Sequence, residues 1–167
     1  MTWLVELGAR LEGWHLHHAV ASCSVEMYEQ VWNSIGQQRD QVDWKTCLWF
    51  AAELEDLALV IRVEQDAGDA LTQWDYRSAV REATEETLPY LLGKLDDEKE
   101  EALEGALVAA SHGGHTEKAR VILGELEHCN VDPLNDAIKE ARNYGYGDIV
   151  DLLEECARVS GERKRRN

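Results

Sequence analysis

Apolar residues recur along this chain at helical spacing, and the pattern restarts about every thirty residues. Each round opens with a large apolar residue, two variable positions and an alanine. The pairs are Leu16 with Ala19, Leu48 with Ala51, Tyr76 with Ala79, Leu107 with Ala110, and Ile138 with Ala141. The five alanines lie 32, 28, 31 and 31 residues apart. Residues three apart share a helix face, and a small residue on that face lets a neighbouring helix approach closely. A short polar turn follows each alanine, then a second apolar run at helical spacing. Tyr28, Val31, Trp32 and Ile35 mark the first such run, Leu59, Val60 and Val63 the second, and Leu88, Leu91 and Leu92 the third. Ala119, Ile122 and Leu123 mark the fourth, Ile149, Val150 and Leu153 the fifth. A fixed period of this size predicts an all-α, helical-hairpin repeat solenoid of about five repeats. Residues 3–9 read as an N-terminal half-repeat that covers the open end of the stack.

The turns carry helix-capping chemistry. Ser24, Asp56 and Thr84 each stand five residues after the alanine, with Thr116 and Asp148 slightly further on. All are residue types whose side-chain oxygen accepts from the free N–H groups of a helix start. Glu26, Glu85, Glu86 and Glu117 then place negative charge in the first turn, where the helix dipole favours it. Pro89 belongs in the first turn of its helix, and Asp132-Pro133 reads as a cap followed by proline, opening the first helix of the fifth repeat.

Composition narrows the classes of function. The chain has 167 residues, 44% of them apolar, with 12 glycines and only 2 prolines. That is enough for one domain with a sizeable core and argues against disorder or a turn-rich sandwich. A repeat domain over residues 1–161 and a basic tail over 162–167, expected to be disordered, follow from the switch to Arg163, Lys164, Arg165 and Arg166. The net charge is −16, which repels nucleic-acid phosphates and anionic membranes and attracts basic partners. The four cysteines form no CxxC pair, residues 1–20 lack the apolar core of a secretory signal, and no run is long enough to span a membrane. The expectation is an intracellular, cytoplasmic monomer with reduced thiols, with nuclear or host-cell location left open.

In the order of their residues the repeats resemble ankyrin repeats. Leu16-His17-His18-Ala19 followed by Val25-Glu26-Met27 is similar to one unit, and Gly114-His115-Thr116-Glu117 followed by Val121-Ile122-Leu123 to another. Gly145-Tyr146-Gly147-Asp148-Ile149-Val150 with Leu152-Leu153 is the nearest in pattern. The likeness extends over roughly residues 1–157. It departs from the family in three ways: no unit has the opening Thr-Pro, only two keep the turn glycine, and residues 68–74 lack hairpin character. The connections 36–43 and 129–133 read as loops or reduced hairpins, and stacks of the tetratricopeptide or HEAT kind stay open. The resemblance implies a curved stack that binds a protein through its concave face and loop tips.

Candidate binding residues follow from that geometry. Trp14, Trp44 and Trp74 recur at intervals of 30, just before the first-helix anchors, and tryptophan is enriched in binding hot spots. With them stand His15, His18, Lys45, Asp75 and Arg77 as the candidate partner-binding set. Trp32 and Trp49 read as core. The histidine groups 15, 17 and 18, and 112 and 115, lack a converging ligand set, with His17 and His115 expected in structural hydrogen bonds. His128-Cys129 lacks a supporting nucleophile motif. The run of acidic residues near 96–101, with Glu104, reads as a solvated linker entering a helix. No phosphate loop or hydrolase motif is present. The expectation is a protein-binding module, with no enzyme activity, cofactor or metal. The alternative is an acidic nucleic-acid mimic that blocks a basic surface.

Overall fold

The computed structural model describes residues 12–22, 24–96, 98–126 and 130–166, with Gln37 and residues 160–166 described by backbone alone. The expected half-repeat at 3–9, Cys23 and the His128-Cys129 pair lie outside the described residues. Among the described residues the chain is all-helical, with ten α-helices, two 3-10 turns and no strand. The helices are α1 His15–Ala21, α2 Val25–Ile35, α3 Trp44–Glu53, α4 Leu57–Ala67 and α5 Gln73–Glu82. There follow α6 Leu88–Leu92, α7 Lys99–Gly113, α8 Thr116–Glu125, α9 Val131–Tyr144 and α10 Gly147–Arg166. The backbone of α10 takes in most of the basic segment 162–167.

Packing follows the period. Each even-numbered helix packs on the odd-numbered helix before it, and the odd helices pack in series, α1 on α3, α3 on α5, α5 on α7 and α7 on α9. The five alanines of the repeating pattern all sit on odd helices and are fully buried. Their partners three residues earlier, Leu16, Leu48, Tyr76, Leu107 and Ile138, are buried as well. Small side chains at these contacts allow helix axes to approach to about 8–10 Å. The even helices bury one face each, as with Tyr28, Val31, Trp32 and Ile35 on α2. Burying a leucine or valine side chain contributes about 1.5–3 kcal/mol, so these faces dominate the stability of the fold. One expectation fails here. Trp49 is 37% exposed and packs edge-on against Phe50, because Leu48, Ala51 and Ala52 take the inward face of α3.

Capping departs from the pattern for identifiable reasons. Ser24 and Asp56 cap as expected, accepting from the amides of Met27 and Leu59. Thr84 does not cap a helix, since α6 begins only at Leu88. A helix starting at Glu85 would need an N–H from Pro89, which has none, so the start is delayed until proline falls in the first turn. Thr116 is already the first residue of α8, and Asp148 lies in the first turn of α10. In both cases a left-handed glycine closes the preceding helix, Gly114 with φ +77° and Gly145 with φ +79°. The next amide then turns back five residues, from His115 to Ala110 and from Tyr146 to Ala141, each at 2.9 Å, the Schellman closure. A Cβ on Gly114 would also meet the Tyr146 ring at 2.7 Å, so neighbouring turns touch. Asn130 precedes α9, and Asp132 and Pro133 sit inside its first turn rather than ahead of it.

The connections are tight. Gly36–Gln41 and Gly68–Ala70 are 3-10 turns, each opened by a positive-φ glycine at the end of an even helix. Part of the acidic run belongs to α7, whose first turn carries Glu100 and Glu101.

Candidate functional site

The serial packing of the odd helices gives the molecule two edges. The start edge carries the first residues of the odd helices, and the turn edge carries their last residues and the turns into the even helices. An odd helix of ten residues separates them by about 15 Å.

The candidate binding residues from the sequence lie mostly at the start edge, and the structure gives several of them internal work. Trp44 is half-buried and meets Trp32 edge-on, with the Arg39 guanidinium 4.1 Å from the Trp32 ring centre. Asp75 accepts from the Thr72 amide and hydroxyl at 2.9 and 2.7 Å, closing a capping box on α5. Arg77 pairs with Glu98 at 3.3 Å and with Glu101, and its guanidinium lies near the Trp74 ring. Lys45 is exposed beside Asp43, which caps α3 by accepting from the Thr46 amide at 3.1 Å. Trp14 and Trp74 are 49% and 59% exposed. Trp14 stacks on His15 at 3.7 Å, meets His18 edge-on and donates its indole N–H to Glu12. Thus Trp14, His15 and His18 form one cluster on α1, and Trp74 and Arg77 another on α5. His17 does not make the expected hydrogen bond through Nδ1, which is buried without a partner while the ring faces Phe50. Burial, then the neighbouring His18, holds its pKa below the ordinary value.

Other polar clusters tie helices together. Glu64 accepts from the Tyr76 hydroxyl at 2.8 Å, from the Tyr90 hydroxyl, and from Lys94 at 2.6 Å. Burial pushes the Glu64 carboxyl up, and these three donors outweigh it, holding the pKa below the usual range. Tyr28 donates to Asp66 at 2.9 Å, and Arg62 bridges Asp66 and Glu29, joining α2 to α4. Burial pushes the Cys47 thiol up to about 12, which keeps it protonated and unreactive at neutral pH.

The turn edge is different. Here a groove of about 1140 Å³ crosses the ends of α3, α5 and α7 and reaches Glu140 of α9. Six carboxylates line it: Glu53, Glu55 and Asp56 from the first turn, Glu82 and Glu85 from the next, and Glu140. Asp56 caps α4, and Glu140 faces His112 at 3.3 Å. Among the described residues, Glu53, Glu55, Glu82 and Glu85 take part in no ion pair or side-chain hydrogen bond. Beyond His112 the aromatic rings of Tyr144 and Tyr146 continue in contact, at 4.5 and 6.2 Å between successive centres.

Lys118, which the repeat pattern does not pick out, lines this groove with only 5% of its surface exposed. Its Nζ donates to the carbonyl of Arg81 at 2.6 Å, one of the last-turn carbonyls that α5 leaves without a partner of its own. Burial pushes the ammonium pKa down to about 8, opposed by the charges of Glu82 and Glu85. The preceding hairpin solves the same problem with a hydroxyl. Thr87 donates to the carbonyl of Ala52 at 2.9 Å, and the Thr84 amide reaches the same oxygen at 3.2 Å. In these two cases the later hairpin closes the exposed end of the odd helix before it. A basic residue in the first turn of α8, where the helix dipole opposes it, is the sequence signal that marks Lys118.

Among the described residues, no three His, Cys, Asp or Glu side chains converge as metal ligands, and no helix is long and apolar enough to cross a membrane. No family model, curated protein or solved structure matches the chain.

Proposed function

We propose that this protein is a binding module: an acidic, degenerate helical-hairpin repeat stack that holds a basic segment of a partner protein in its turn-edge groove. In this reading it is ankyrin-like, with the family's projecting hairpins reduced to 3-10 turns. The observation that carries the reading is the groove itself, where four carboxylates from two consecutive turns face a concave surface without hydrogen-bonded or ion-paired partners in the fold. Convergent negative charge in a partly enclosed site attracts and orients cationic groups. Arg81, Lys118 and two histidines interrupt the negative surface, and this mixed, concave lining suits a protein segment better than the uniform convex stripe of a nucleic-acid mimic.

The test is binding of fluorescent hexa-arginine to the full chain, followed by anisotropy. Glu55→Gln/Glu85→Gln should weaken binding much more than the charge-matched pair Asp69→Asn/Glu100→Gln, whose members are exposed and lie outside the groove lining. Equal losses in the two variants would reduce the interaction to net charge and remove the groove from the account.

A further inference from the structure

The basic run Arg163-Lys164-Arg165-Arg166 reverses the sign of a chain whose net charge is −16. The backbone of α10 carries this run as helix through Arg166, and the end of a helix favours positive charge. α10 has 20 residues against 14 in α9, the helix on which it packs after a tight turn. Its last turns therefore run about 9 Å past the first residue of α9. Resting on the groove as the binding site, we propose that its occupant is this basic helix end from a second copy of the chain, so that copies join head to tail.

The placement favours a second copy over the same one. α10 begins at the turn edge, where the Tyr146 ring closes on Gly114 beside the groove residues His112 and His115. It leads away from that edge, and its basic run lies about 24–29 Å from its start, beyond the reach of an arginine side chain back to the groove. Groove and run are complementary in charge. Six carboxylates line the groove against Arg81 and Lys118. Glu82 and Glu85 already lie in the field of the Lys118 ammonium, which leaves the exposed Glu53 and Glu55 as the main positions for incoming guanidinium groups. Two bodies of net charge −16 repel each other. At physiological ionic strength the Debye length is about 8 Å, so distant charges are screened while ion pairs in contact persist. Such a contact joins two different surfaces. Each copy in a pair keeps one of them free, which gives open chains, or rings where the rotation closes.

The test is sedimentation velocity of the full chain at about physiological salt, over a series of rising concentrations. The weight-average mass should rise with concentration. Glu53→Gln/Glu55→Gln and the quadruple variant Arg163→Gln/Lys164→Gln/Arg165→Gln/Arg166→Gln should each associate about tenfold more weakly, the effect of about two partly exposed ion pairs. An equimolar mixture of these two variants keeps one intact groove and one intact basic run, and it should form a one-to-one pair and grow no further. The groove variant also loses two negative charges, so association governed by net charge would strengthen in it rather than weaken. A monomer at every concentration, with hexa-arginine still held by the groove, overturns the self-association and leaves the binding site standing. Association that either variant retains in full, or a mixture of variants that stays monomeric, overturns it in the same way. Absence of groove-dependent hexa-arginine binding removes the binding site and the proposal together.

Discussion

The two edges both carry polar and aromatic side chains and differ in how far the charged ones are paired within the fold. At the start edge, Asp43 and Asp75 cap helices, Arg77 bridges to Glu98 and Glu101, and Trp44 closes on Trp32. At the turn edge, Glu53, Glu55, Glu82 and Glu85 make no such bonds, while Lys118 and Thr87 beneath them hold consecutive hairpins together. A side chain already paired within the fold loses that pairing when it turns to a partner. Glu82 and Glu85 already lie in the field of the Lys118 ammonium, whereas Glu53 and Glu55 carry charge that no ion pair among the described residues offsets. The contrast supports the proposed division, in which stability rests on the start edge and the layer under the groove and recognition on the groove rim.

The largest effect expected from breaking this division lies beneath the groove. The folded chain releases the Lys118 proton near pH 8, whereas the unfolded chain holds it to about 10.5. The unfolded state thus binds more protons in that window, and the contribution of Lys118 to stability rises with pH. Measured against Lys118→Met by denaturant unfolding, the wild type should gain about 3 kcal/mol between pH 8 and 10.5 and show no such change below pH 7. A flat difference would mean that the ammonium is well solvated. Next in size is Thr87→Val, which keeps shape but removes the donor to Ala52, and a cost of about 2 kcal/mol is expected from the thermal midpoint and enthalpy.

Start-edge caps come third. Asp43→Ala and Thr72→Ala should each lower stability by about 1 kcal/mol while leaving hexa-arginine affinity unchanged. A loss of affinity at unchanged stability would reverse the assignment of the two edges. Smallest in stability is Glu55→Gln/Glu85→Gln, expected to stay within about 0.5 kcal/mol of wild type, yet it is the variant that loses the peptide.

The helices and their inward faces are legible in the sequence because periodic burial writes itself into local spacing. Leu16 and Ala19, or Tyr28, Val31 and Ile35, declare a face without reference to anything distant. The capping of the later repeats is less legible, because Pro89, Gly114 and Gly145 shift helix boundaries by one to three residues while leaving the apolar register intact. The groove is hardest to see. It depends on Lys118 meeting Arg81 and Thr87 meeting Ala52, pairs 37 and 35 residues apart, and no local pattern encodes them. The recurring tryptophans draw attention to the start edge, yet their periodicity reports a position before each odd helix. Trp44 there is half-buried, while Trp14 and Trp74 are exposed.

The most direct test is a nitrogen–proton correlation spectrum of the isotopically labelled chain, recorded during titration with hexa-arginine. The account predicts shifts concentrated in the amides of residues 53–56, 81–85 and 112–118, with the indole N–H signals of Trp14, Trp44 and Trp74 unmoved. Shifts centred on those indoles, with the turn-edge amides silent, would contradict it.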